Sequence, residues 1–211
     1  MRITKYEHAC FAVDLDGARL IVDPGAFTTP LTGQKDVVGI VVTHEHADHW
    51  TPDQLTAILA ENPGIPIFAP AGVAAAATGF DVTVVDDGST ATAGPFSLRF
   101  IGSKHAVIHS SIPVVDNVGV LINDTVFHPG DSFTLPPEGV ELLAVPASAP
   151  WLKIGEVIDY VLAAKAKRTF PVHERVNSDI GNGMAYDRIK GATEQNGGEF
   201  FPLAVGGELE L

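Results

Sequence analysis

Three histidines and an aspartate, His44, His46, Asp48 and His49, crowd into the run from Thr43 to Trp50, which reads Thr-His-Glu-His-Ala-Asp-His-Trp. Neutral imidazole and carboxylate are the donors that a borderline cation such as Zn2+ takes, and Mn2+ or Fe2+ accepts the same set. In an extended chain the side-chain period is two, so His44, His46 and Asp48 project one way and His49 the other. One short loop can therefore serve two adjacent ions. A polar turn of chance composition is the plain alternative.

The flanking residues say what holds this loop. Val37 to Val42 is a short β-branched apolar run, read as a buried strand, and Thr51-Pro52-Asp53-Gln54 reads as a capping box with proline at the first helical position. The candidate ligands thus sit where the carboxyl end of a strand hands over to a helix.

Other signatures follow in order: Asp23-Pro24-Gly25 at the end of an earlier strand, His105 after a later one, Gly130-Asp131-Ser132, and His173 after a last buried strand. Together with the H-x-H-x-D-H run this series resembles the metallo-β-lactamase superfamily, and the likeness spans Asp23 to His173. Within it, the compact chain with Glu7-His8-Ala9-Cys10 opening a first hairpin looks most like small metal-dependent hydrolases that include the ascorbate-phosphate lactonases.

The resemblance implies an α/β chain folded as a four-layer αββα sandwich, with two divalent metal ions, foremost Zn2+. It implies that His44, His46 and His105 hold one ion, that Asp48, His49 and His173 hold the other, and that Asp131 bridges them. Two dications about 3.5 to 4 Å apart need such an anionic bridge, and a hydroxide between them is a nucleophile near pH 7. The expected activity is hydrolysis of a small ester, lactone or phosphoester, with Asp48 orienting the nucleophile and moving its proton. Two dications less two carboxylates and one hydroxide leave about one positive charge, so an anionic small-molecule substrate is expected.

Around this centre several residues have both a functional and an ordinary reading. His105 is preferred to His109 as the third histidine because it stands nearer the strand end and is held more firmly. His109 then becomes a candidate proton donor, or an ordinary loop histidine. Asp23 is expected to buttress the metal loop as an acceptor, or else to belong to a simple Asp-Pro-Gly turn. Arg175 is the side chain expected to grip a substrate anion, with solvated charge as the alternative. Trp151 could wall the pocket or pack on a helix. His8 could stand at the site rim or be a satisfied half-buried strand residue; His128 and Cys10 read as half-buried or core residues.

The 211 residues are read as one metallo-hydrolase domain, 1–211, with an apolar content of 45% and a mean hydropathy of +0.20. A net charge of −13 repels polyanions, so no nucleic-acid partner is expected. No apolar run approaches a membrane span, and the amino terminus lacks the apolar core of a signal peptide. With a single cysteine, Cys10, the chain cannot form an internal disulfide. These features lead to the expectation of a cytoplasmic protein without a membrane partner. Small domains of this kind often self-associate, which leaves a homo-oligomer open.

In chain order, strands are expected over Arg2–Tyr6, Ala9–Leu15 and Ala18–Val22, the last two joined by an Asp16-Gly17 turn. Pro24–Asp36 is a loop that could lie over the site. A helix over Pro52–Glu61, a strand over Ile65–Ala69 and a small-residue helix over Ala71–Ala77 follow. Strands are then expected over Val82–Val85, Thr90–Ala93, Phe96–Ile101, Val118–Ile122, Thr125–Phe127, Val140–Val145 and Thr169–Val172. Helices are read over the Ile154–Leu162 apolar period and over Met184–Gln195, and Phe200–Val205 is expected to close a sheet.

Two other classes use similar residues. One is an iron-dependent oxidoreductase of the persulfide dioxygenase type, built around a single iron. The other is a non-catalytic metal-binding protein, whose site would be closed to substrate. Glu45 does not create the H-x-E-x-D pattern of the di-iron flavoproteins, which disfavours oxygen or nitric oxide reduction.

Overall fold

The computed structural model describes residues 1–211 and contains two mixed seven-stranded sheets. The first sheet takes β1 (Arg2–Lys5), β2 (Phe11–Leu15), β3 (Ala18–Val22), β4 (Val37–Val41), β5 (Ile67–Ala69) and β6 (Val82–Val84). Helix α1 (Pro52–Glu61) joins β4 to β5, and α2 (Ala71–Ala76) joins β5 to β6. The second takes β7 (Thr90–Ala93), β8 (Phe96–Ile101), β9 (Gly119–Ile122), β10 (Val126–His128), β11 (Leu142–Pro146), β12 (Arg168–Val172) and β13 (Glu199–Phe200). Helix α3 (Ile154–Ala164) lies between β11 and β12, and α4 (Asp179–Gln195) between β12 and β13. The final strand, β14 (Glu208–Glu210), crosses back to pair with β1, so the orders are β14-β1-β2-β3-β4-β5-β6 and β13-β12-β11-β10-β9-β8-β7.

Side-chain alternation makes the layers. Phe11 and Val13 of β2, Leu20 and Val22 of β3, Phe96, Leu98 and Phe100 of β8, and Leu142 and Ala144 of β11 all enter one core between the sheets. Their neighbours point outward: Ala12 and Ile21 pack with Leu55, Ile58 and Val73 of α1 and α2, while Leu143 and Val145 pack with Val157, Val161 and Ile189 of α3 and α4. Strands covered on both faces read as continuous apolar runs, as β4 and β11 do. Three cores between four layers are the αββα sandwich of the metallo-β-lactamase type that the sequence led us to expect.

This arrangement gathers the chemistry at one rim. Strand β3 is parallel to β4, and β10, β11 and β12 are mutually parallel, so the loops that follow them leave the sheets together. The two rims are tied where the Val118 amide donates to the Thr43 carbonyl at 2.9 Å and His44 bridges to Asn117.

Several sequence expectations need correction. Helix α4 begins at Asp179, five residues before the expected Met184, with the Ser178 hydroxyl capping Gly181; Gly181, Asn182 and Gly183 weaken the helical signal there. Phe200–Val205 does not form a strand beyond Phe200, and the closing strand is β14, paired to β1 in the other sheet. The expected capping box is half formed. Thr51 accepts from the Gln54 amide, but the Gln54 side chain donates to Gly25, Thr28 and Thr29 carbonyls and accepts from Leu31, pinning the loop after β3 instead. No helix is long and apolar enough to cross a membrane.

Candidate metal centre

The turn after β4 folds back on itself, with the His49 amide donating to the His46 carbonyl at 3.0 Å. Gly25 makes room for it: a Cβ there would lie 1.8 Å from the Asp48 carbonyl oxygen. Gly130, at φ 64, does the same for the next loop, where a Cβ would lie 2.3 Å from Asn117 Oδ1. Asn117 in turn accepts from the Asp131 amide and donates to the Pro129 carbonyl, fixing the carboxylate that follows.

Two donor sets result. His44 Nε2 and His46 Nδ1 stand 3.1 Å apart, and the His105 ring lies 4.9 and 4.8 Å from theirs. In the second set, Asp48 Oδ2 is 3.0 Å from His8 Nε2, 3.4 Å from His173 Nε2 and 4.0 Å from His49 Nε2. Within each set the ligating atoms all fall inside 4.8 Å of one another. Asp131 stands between the sets, with Oδ1 3.2 Å from His49 Nε2 and Oδ2 3.4 and 3.1 Å from His105 and His173 Nε2.

The imidazoles are aimed by their other nitrogens. His49 Nδ1 lies 2.8 Å from Asp23 Oδ2, His105 Nδ1 2.6 Å from the Ala106 carbonyl, and His173 Nδ1 2.5 Å from the Ser148 carbonyl. Those acceptors place the proton on Nδ1 and leave Nε2 as an inward lone pair, the usual arrangement behind a ligating histidine. The Nε2 atoms of His49, His105 and His173 are buried and form no hydrogen bond, although carboxylate oxygens lie within 3.4 Å. Close oxygens that these nitrogens do not face in hydrogen-bonding directions, together with a donor set free of thiolate, fit divalent cations.

Electrostatics point the same way. Burial raises a carboxyl, yet the charges of His173 and His49 hold Asp131 well below the usual carboxylate range. Asp48 is held low by its contacts with His173 and His8 against its own burial. Burial would lower His173, but Asp131 and Asp48 push it up to about 9. Without a cation, the anionic pair draws protons onto its histidines, and a metal ion competes for the same place.

Asp23 accepts from the Thr43 amide and hydroxyl, from His49 and from His128, each at 2.8 Å, and so supports the loop from below. His128, read in the sequence as a half-buried residue, is part of that support. Trp151 is nearly buried and donates its indole N–H to Asp131 Oδ2 at 2.9 Å; it steadies the carboxylate as well as lining the site. His8, read in the sequence as a half-buried strand residue or a rim residue, is wholly buried against Asp48 and His173, because the turn after β1 tucks inward beneath the Thr28 loop. His109 is exposed, pairs with Ser111 and joins none of the donor groups, whereas His105 does. Arg175 is exposed and unpaired on the short 3-10 turn Glu174–Val176. Phe27, from the loop after β3, caps the His8 ring at 4.9 Å.

Geometry and sequence relatives agree on the class. The sequence model of the Beta-lactamase superfamily domain matches residues 2–173, and the chain belongs to that family. Protein Rv0786c of Mycobacterium tuberculosis is similar to it, 34% identical over 194 residues that cover 90% of this chain and 91% of that protein. Among solved structures, Igni18, a metallo hydrolase from Ignicoccus hospitalis, superposes with a TM-score of 0.73 at 17% identity, covering 100% of this chain and 98% of that one. CmlA, a diiron β-hydroxylase from Streptomyces venezuelae, gives 0.76 at 14% identity, covering 100% of this chain and 54% of CmlA. At such identities the two structures speak to the fold alone.

Proposed function

We propose that this chain is a dinuclear metal-dependent hydrolase acting on a small anionic ester, lactone or phosphoester. The observation that carries the reading is Asp131, whose carboxylate lies between two sets of inward-facing donors. His44, His46 and His105 would hold one ion, Asp48, His49 and His173 the other, with Asp131 shared. When bound, two divalent ions, Zn2+ first among Zn2+, Mn2+ and Fe2+, supply an acidified water near neutral pH and a Lewis acid for the scissile oxygen.

The chain's own residues do the rest. Asp48, kept ionised and partly open to solvent, orients the attacking water and takes its proton. Asp131 is held in place by the Trp151 indole on its Oδ2 and by its own backbone amide, which donates to Asn117 Oδ1. Arg175, on the exposed turn after His173, is suited to a phosphate or carboxylate on the substrate, and His109 to returning a proton to the leaving group. A lactone substrate would accord with the likeness of the Glu7–Cys10 opening to the ascorbate-phosphate lactonases.

The test is a panel of lactones, phosphodiesters, phosphomonoesters and thioesters assayed with metal-loaded protein and with its His46→Ala variant. Turnover is expected in at least one ester class and is expected to vanish in the variant while its melting profile persists. Turnover that survives His46→Ala contradicts the ligand assignment. Iron-dependent oxidation of the persulfide dioxygenase type is the second reading, since a thiolate-free His and carboxylate donor set also accepts Fe2+. One tightly held iron with oxygen consumption would select it.

A further inference from the structure

His8 sits in the turn between β1 and β2 with its side chain wholly buried and its backbone at φ 61, a conformation that L residues rarely adopt. Both polar groups of its backbone are held by other residues. Its amide donates to Glu174 Oε1 at 2.8 Å, and its carbonyl accepts from Lys5 Nζ at 2.8 Å and from the His173 amide at 3.0 Å. Lys5 is 1% exposed, and its ammonium also meets Glu174 Oε2 at 3.1 Å and the Tyr6 carbonyl, so its three N–H groups are spent on this one turn. Glu174 follows His173 directly, and His173 is itself left-handed at φ 65. A part-buried ion pair between residues 169 apart thus holds two strained histidines together, their ring centroids 3.8 Å apart.

The His8 ring is bonded the other way round from the metal-directed imidazoles. In His49, His105 and His173 the Nδ1 is anchored and Nε2 is free; in His8 the Nδ1 has no partner and Nε2 lies 3.0 Å from Asp48 Oδ2. A proton on Nδ1 would be a buried donor without an acceptor and would turn a lone pair toward a carboxylate. A proton on Nε2 makes the one hydrogen bond the site offers. We infer that His8 is a positioning residue for the second metal set: it donates Nε2–H to Asp48 Oδ2, and the Lys5–Glu174 pair fixes the turn that makes this possible. The inference rests on the reading that Asp48, His49 and His173 hold an ion. Its consequence is that affinity for the second ion depends on β1, an element that supplies no ligand.

Chelator competition with Zn2+ tests it on the full chain, reading the affinity of each ion separately. His8→Ala is expected to weaken the second ion by about 10- to 100-fold, the usual cost of losing an outer partner of a ligand, and to leave the first unchanged. His8→Gln, whose amide nitrogen reaches about as far as Nε2, is expected to restore most of the loss. Unaltered affinity in His8→Ala overturns the inference, as does His8→Gln failing as fully as alanine, which would make His8 a direct ligand. Should His8→Ala not fold, Glu174→Gln leaves His8 in place and loosens its anchor; selective weakening of the second ion supports the role, and equal or absent weakening refutes it. An unmodified protein that holds a single ion fails the dinuclear reading first, and the inference with it.

Discussion

Asp131 shows how much one carboxylate is asked to do. Its Oδ2 lies within 3.4 Å of His105, His173 and the Trp151 indole, and its Oδ1 within 3.2 Å of His49. Among these neighbours the indole N–H donates the hydrogen bond to the carboxylate, and it keeps the oxygen from rotating out of line between the two donor sets. Trp151→Phe keeps an aromatic ring beside Phe133 and removes the N–H together with part of the indole's bulk. Loss of a hydrogen bond to a charged group costs about 1.5 to 3 kcal/mol. The variant is expected to keep its fold and lose about tenfold or more in metal affinity or kcat, read by chelator competition and steady-state kinetics. Unchanged values would reduce Trp151 to a wall.

At the level of elements, the loops depend on close approach and on paired strands. Gly25 lies against the Asp48 backbone, so Gly25→Ala forces the metal turn and the Asp23-Pro24-Gly25 turn apart. Overpacking of this kind costs typically about 1 to 3 kcal/mol. The variant should melt earlier and bind metal less tightly; calorimetry at equal metal loading would show it, and a wild-type melt would contradict the close contact. Strands β2 and β3 are joined by Asp14, which accepts from Arg19 at 2.7 Å and from Arg2 at 3.3 Å. Partial burial raises the Asp14 carboxyl, but the Arg19 and Arg2 contacts hold it below its ordinary value. Its folded pKa being depressed, Asp14 contributes stability above the unfolded value of about 3.9 and loses it as pH falls through the folded value. Asp14→Asn should therefore lose about 1 kcal/mol or less at pH 7 and nothing once the pH is well below 3.9, measured by denaturant unfolding across pH.

What the sequence revealed and what it hid divide along contact range. The ligand run after β4 was legible because its residues are neighbours in sequence, and the hairpin turn at Asp16-Gly17 because its left-handed backbone, φ 51 and 80, has a local signature. His105, Asp131 and His173 were legible through the order of signatures in a known family. Hidden were partnerships that only the folded chain makes: His128 with Asp23, 105 residues away, the Lys5–Glu174 pair, and Gln54, drawn from its capping role to the loop after β3. Strand β14 was missed because it is three residues long, alternates Glu-Leu-Glu and pairs with the chain's first strand.

For the whole molecule, two sheets with helices outside leave one rim where loops from both halves converge, and the function follows from that convergence. The chain carries 26 acidic against 13 basic residues, so an anionic substrate of the kind proposed would be drawn by the local field of the site rather than by the protein at large. Asp23, Asp48 and Asp131, buried or half-buried near seven imidazoles, are costly without cations and comfortable with them. Anomalous diffraction from metal-loaded crystals, collected across the zinc edge, puts this most directly to proof. Two peaks flanking the Asp131 carboxylate, one beside His44, His46 and His105 and the other beside Asp48, His49 and His173, are the expected result; a single peak, or none between those side chains, would contradict it.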